Sequence, residues 1–108
     1  MTLQNKLQPL GEALAKVVPN TKHYWRPHME PPFCVWAEDG ENGFNAGNRK
    51  AEQAITGTVD YYTLQEYDPA VDNIQAALNS LRIPWRLNSV QYEDETNLIH
   101  YEWTWEVP

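Results

Sequence analysis

The sequence predicts an α+β domain, an antiparallel or mixed β-sheet with two α-helices packed on one of its faces. Three observations carry that expectation. Apolar residues recur at helical spacing in two separate stretches, one near the start and one after Asp68-Pro69. Apolar and polar residues alternate strictly from Ile99 to Val107, the period of a half-buried strand. Proline and glycine clusters punctuate the intervening segments. The resulting order is helix, strand, strand, helix, strand, strand. A length of 108 residues suits one domain spanning 1–108.

The first helix rests on Leu3, Leu7, Leu10, Leu14 and Val17, which share one helical face. Pro9 interrupts them, so either a kink or a regular helix starting there is expected, and Pro19-Asn20 closes the element. His23-Tyr24-Trp25 is short and aromatic. The prolines at 27, 31 and 32 then impose a stiff extended connection. Phe33-Cys34-Val35-Trp36-Ala37 suits a pleated surface and reads as a strand. Asp39 to Glu52 is dense in Gly and Asn and reads as a long flexible loop, with Phe44 as its isolated apolar residue.

From Gln53 to Tyr67 the pattern favours a long strand, with Ile55, Val59 and Tyr61 on one parity. Gly57 inside it signals a bulge or a close backbone approach. Asp68-Pro69 is an N-cap followed by proline at the first helical position, and Val71, Ile74, Leu78 and Leu81 continue the helix until Pro84. The remainder reads as a hairpin, Trp85 to Tyr92 and Ile99 to Val107, joined by a polar turn at Glu93–Asn97.

Composition narrows the function. Eight Lys and Arg against 15 Asp and Glu give a formal charge of −7. That sign disfavours nucleic acid, whose binding needs a basic footprint, and anionic membrane surfaces. No apolar run reaches the roughly 20 residues of a membrane helix, and the N-terminal residues lack the blocks of a signal peptide. With one cysteine, Cys34, no internal disulfide can form, and a cytoplasmic setting is expected. Five Trp and six Tyr are a heavy load for two short helices to cover, so some rings are expected beneath a partner.

No catalytic, cofactor or metal constellation is expected. Cys34 lies in an apolar strand, where a thiol packs as a small hydrophobe. His23, His28 and His100 lack ligand spacing, and Glu38-Asp39-Gly40-Glu41 lacks the ligand alternation of a calcium loop. No phosphate-binding glycine motif or Gly-x-Ser-x-Gly elbow occurs. Glu93-Asp94-Glu95 reads as a solvated charge run in a turn. Binding or assembly is the better class.

The layout resembles the tail terminator (tail completion) proteins of long-tailed bacteriophages and prophages. The likeness lies in the helix ending at Val17-Val18-Pro19, in His23-Tyr24-Trp25, and in Pro32-Phe33-Cys34-Val35-Trp36-Ala37-Glu38-Asp39-Gly40 with its long loop. Ile55 to Tyr62, Asp68-Pro69-Ala70-Val71 and the closing hairpin complete it. The resemblance implies a virion assembly protein, made in the bacterial cytoplasm, whose homo-hexameric ring caps the tail tube and joins it to head–tail connector or head-closure proteins. It implies an interface built from the loop, with Phe44 as apolar anchor and Arg49 and Lys50 as charge contacts, beside Glu38 and Asp39. Glu102 and Glu106, with the Glu93–Glu95 turn, are the candidates for an acidic channel that repels DNA phosphates. A connector or other minor tail component, or a small acidic protein inhibitor, remains the alternative.

Overall fold

The computed structural model describes residues 2–42, 45–46, 49–50 and 53–108. The fold is α+β, as expected, with two helices and a five-stranded mixed sheet. In chain order the elements are α1 (Leu3–Val17), β1 (Thr21–His23), β2 (Phe33–Glu41), β3 (Asn45–Ala46), β4 (Arg49–Lys50), β5 (Ile55–Thr63), α2 (Pro69–Ser80), β6 (Trp85–Glu93) and β7 (Leu98–Val107). The main sheet runs β1-β2-β5-β7-β6, and β3 pairs with β4 separately. β1 lies parallel to β2, and every other neighbouring pair is antiparallel.

Several boundaries differ from the sequence expectation. The expected loop at 39–52 is shorter, because β2 continues to Glu41 and the β3–β4 pair occupies part of the remainder. Phe44 lies outside the described residues, and of Arg49 and Lys50 the backbone alone is described. β1 is an added strand. It begins at Thr21, whose hydroxyl donates to the Val18 carbonyl at 2.6 Å, turning the chain out of α1 onto the sheet edge. Helix α1 starts at Leu3 behind a Thr2 N-cap and carries Pro9 inside it. Pro9 and Asn5 are both exposed, so the Asn5 carbonyl that proline leaves without a donor faces water.

β5 stops at Thr63 rather than running to Tyr67, and Asp68 explains the stop. Its carboxylate accepts from the Ala70 N–H (2.9 Å), the Tyr61 hydroxyl (2.7 Å) and the Thr63 hydroxyl (2.7 Å). One side chain thus caps α2 and ties it to the end of β5. Burial raises the Asp68 pKa, but these three bonds outweigh it and hold the carboxyl below its ordinary value. The Tyr61 hydroxyl is pushed up, first by burial and then by Asp68.

The core lies between the helices and one sheet face. Leu7, Leu10 and Leu14 of α1 and Ile74 and Leu78 of α2 meet Cys34, Trp36, Val59, Tyr61, Trp103 and Trp105. The alternation read in the sequence for β5 and β7 places Val59, Tyr61, Trp103 and Trp105 on this inner face. Trp103 is fully buried and its indole N–H donates to Gln75 of α2 at 3.0 Å. Gly57 is the close approach that its position suggests, since a Cβ there would lie 2.2 Å from the Trp105 ring. Cys34 is fully buried, and burial pushes its thiol up to about 12.

Candidate functional site

Length decides which part of the inner face the helices leave open. A 15-residue helix spans about 22 Å and a 10-residue strand about 33 Å. Asp68 holds the start of α2 at Tyr61 and Thr63, so the end of the β6–β7 hairpin, which begins opposite Thr63 at Ile99 and Tyr92, lies at the edge of that helix's cover. Leu64, Val90 and Tyr92 are 60%, 52% and 60% exposed there, and with Ile99 they line a depression. Leu87 and Tyr67 are also exposed. Large apolar side chains grouped on one face mark a contact surface more often than scattered ones do. The exposed group is largely aliphatic and tyrosine, whereas Trp103 and Trp105, among the rings expected beneath a partner, are core.

The opposite face of the sheet is acidic. Asp60 on β5 and Glu102 and Glu106 on β7 share the outward parity, and Asp39 lies at the irregularity of β2 beside Thr56. Asp60 stands directly across from Glu102, an unfavourable cross-strand pairing of like charges. Each carboxylate has a polar partner. His100 Nε2 lies 2.6 Å from Asp60, and Asn88 donates to Glu102 at 2.7 Å. Asn42 donates to Glu106 at 3.0 Å and Thr56 to Asp39 at 2.8 Å.

Aromatic rings cross the same face. Trp25 meets Phe33 and Tyr62 edge-on at 5.5 and 5.6 Å, Tyr62 stacks on Phe33 at 4.6 Å, and His100 stacks on Tyr62 at 4.2 Å. The Tyr62 hydroxyl is pushed up to about 12, first by burial and then by the charges of Asp60, Glu93 and Glu102. Burial is the larger cause, and the three carboxylates on this side of the sheet add to it.

The predicted contact residues are thus divided. Asp39, Glu102 and Glu106 come together on the outer face, whereas Glu38 belongs to a different place. It sits beside a groove of about 630 Å³ between α1 and the β1–β2 edge, whose floor is Trp36 and Gly11. His23 stacks on Trp36 at 3.9 Å and on Tyr24 at 4.0 Å, and its Nε2 lies 2.6 Å from Glu38 Oε1. Burial raises the Glu38 pKa, but the hydrogen bond and charge of His23 prevail, and the carboxyl lies below its ordinary value. Glu38 fastens the short β1 to β2.

Among the described residues, no three or more His, Cys, Asp or Glu side chains form a group that could hold a metal ion. Among the same residues, no helix is long and apolar enough to cross a membrane. Sequence reasoning missed the Leu64, Leu87, Val90 and Tyr92 surface. Its signal was the pattern Trp85-x-Leu87-x-x-Val90-x-Tyr92, alternation with one extra residue, which is an apolar strand face interrupted by a bulge.

The chain matches no family model and no curated sequence.

Proposed function

We propose that this protein is a structural assembly subunit, similar to a phage tail terminator, that joins copies of itself into a ring capping a tail tube and meeting the head-proximal connector. The observation that carries the reading is the uncovered inner face at Leu64, Val90 and Tyr92. Side chains of this size are stabilised by roughly 1.5–3 kcal/mol each when fully buried, so a partner that covers them gains binding energy there. The acidic outer face supports a second part of the reading, because a surface of that sign lets DNA pass without adhering. The reading assigns no enzymatic step and no cofactor to the chain.

The test is assembly on a tail tube. Purified chain mixed with the tail-tube protein of its phage or prophage should form end-caps visible by negative-stain microscopy and should limit tube length. Replacing Leu64, Val90 and Tyr92 together by Ser should abolish capping while leaving the circular dichroism spectrum intact. Capping that survives this triple change, or a wild-type chain that ignores the tubes, would sink the reading.

One observation favours a second reading, a small acidic inhibitor of a basic protein. Asp39, Asp60, Glu102 and Glu106 share one face, which is the arrangement that a basic partner selects. Pull-down with the wild-type chain and with an Asp60→Asn/Glu102→Gln/Glu106→Gln variant separates the two. A basic partner lost with the triple variant supports inhibition, and none supports assembly.

A further inference from the structure

β6 ends the main sheet, and its outward backbone edge carries no neighbouring strand among the described residues. The register states which groups point outward. The Glu106 N–H donates to the Pro84 carbonyl at 3.1 Å, so residues 84 and 106 face each other through their hydrogen-bonding sides. Stepping by two, Arg86 also turns its N–H and C=O toward β7, and beyond the irregularity at Leu87/Ser89 the residues Ser89, Gln91 and Glu93 do so. The backbone of Trp85, Leu87, Val90 and Tyr92 therefore faces away from the sheet. The side chains of the same four residues lie on the inner, apolar face, opposite Trp105, Trp103, Tyr101 and Ile99.

We propose that β6 pairs antiparallel, edge to edge, with β6 of a second copy about a two-fold axis between Asn88 and Ser89. Sequence register selects this occupant. Placing Leu87 opposite Val90 of the other copy puts Trp85 opposite its Tyr92 and Arg86 opposite its Gln91. Every outward-facing backbone then meets an outward-facing backbone, and every inner side chain meets an inner one. The extra residue of one bulge lies against that of the other, so the two ladders stay in step on both sides of it. A strand without that bulge slips by one residue past Asn88 and turns its apolar side chains to the wrong face.

Charge agrees with the pairing. Arg86 stands one diagonal step from Glu93 of the other copy, within reach of a long side chain, and the axis repeats the contact. In the single chain Arg86 donates to Asn88 at 3.4 Å, a bond long enough to exchange for a carboxylate. The pairing covers Leu87, Val90 and Tyr92, which are 42%, 52% and 60% exposed in the single chain. It does not rest on the ring reading and competes with it for Val90 and Tyr92, since an isologous contact closes at two copies and needs no tail tube.

Amide hydrogen exchange on the unmodified chain reads it directly, across a concentration series followed in parallel by sedimentation velocity. In dilute solution the N–H groups of Arg86 and Gln91 should be protected by β7, and those of Leu87 and Val90 should exchange freely. At concentrations where the dimer forms, the Leu87 and Val90 amides should slow by more than about tenfold, with Arg86 and Gln91 unchanged. Val90→Pro removes an outward N–H without touching the β7 ladder, and it should leave the monomer folded and abolish the dimer. Arg86→Glu should weaken the dimer, and Arg86→Glu with Glu93→Arg should restore it. A chain that stays monomeric at millimolar concentration overturns the proposal, as does a dimer whose Leu87 and Val90 amides remain unprotected. Because none of these measurements involves tail-tube protein, loss of capping and loss of pairing are scored separately.

Discussion

Replacing Gly57 by Ala tests the packing of the sheet where it is tightest. By local preference the change should help, since alanine restricts the unfolded chain and typically stabilises by about 0.4–1 kcal/mol where the native backbone accepts it. The surroundings reverse that sign. The added Cβ would sit 2.2 Å and 2.7 Å from the Trp105 ring and 2.3 Å from the Ala37 carbonyl oxygen, so ordinary contact at 3.4 Å requires a retreat of about an ångström on both sides. Trp105 is 3% exposed and Ala37 belongs to the strand paired with β5, so neither can yield without disturbing the core or the ladder. Overpacking of a buried site costs about 1–3 kcal/mol. With a backbone atom among the obstacles, the net loss for Gly57→Ala is expected near the upper end, about 2–3 kcal/mol. At roughly 4 °C per kcal/mol for a domain of this size, the melting temperature falls by about 10 °C. Urea unfolding followed by tryptophan fluorescence, with an unchanged m-value, measures it. In a Trp105→Phe background the cost of Gly57→Ala should shrink by about 1 kcal/mol, the share due to the indole, while the carbonyl share remains. A neutral or stabilising Gly57→Ala would refute the packing argument.

Two further substitutions probe other parts of the fold. Trp103→Ala removes a fully buried indole and its bond to Gln75, and should cost about 3–5 kcal/mol in the same urea assay. Asp68→Ala removes the α2 cap and leaves the buried Tyr61 hydroxyl without its acceptor, an expected loss of about 3 kcal/mol at pH 7. That difference depends on pH. Because the Asp68 carboxyl is held below its ordinary value, its contribution is complete above about pH 4 and disappears as pH falls through the depressed folded value. The gap between the denaturation midpoints of wild type and Asp68→Ala should therefore narrow as pH falls below about 4, and a gap that does not narrow in acid would contradict the assignment.

What was legible in the sequence follows from how local each signal is. Asp68-Pro69 announces α2 because capping chemistry lies within adjacent residues. Ile99 to Val107 announces β7 because nine alternating residues leave one solution, and Trp103 and Trp105 are accordingly core. β1 carried no such signal. Three residues, Thr21 to His23, hold a strand only because β2 lies beside them and Glu38 secures His23, and both partners are distant in sequence. The candidate site was half legible. Grouping Glu38 with Asp39 ignored that neighbouring strand residues point to opposite faces, and the structure separates them in that way. The apolar strand face was marked in the sequence by the interrupted alternation Trp85-x-Leu87-x-x-Val90-x-Tyr92, but its exposure was not, since that depends on where the helices end on the sheet.

The two sheet faces bear on association in opposite senses, and together they restrict its geometry. A copy approaching the outer face brings Asp60, Glu102 and Glu106 against their equivalents, on chains of formal charge −7, so stacking of outer faces is repelled. The inner face beyond the helices and the outward edge of β6 carry the complementary attraction, apolar side chains on one side and, among the described residues, backbone without a neighbouring strand along the rim. Strand edges of this length invite indiscriminate pairing when they are flat and regular. The bulge at Asn88 breaks that regularity, and pairing on both sides of it is left to a strand that carries the same irregularity. Selectivity on this surface therefore comes from a one-residue departure from the strand period more than from any single contact.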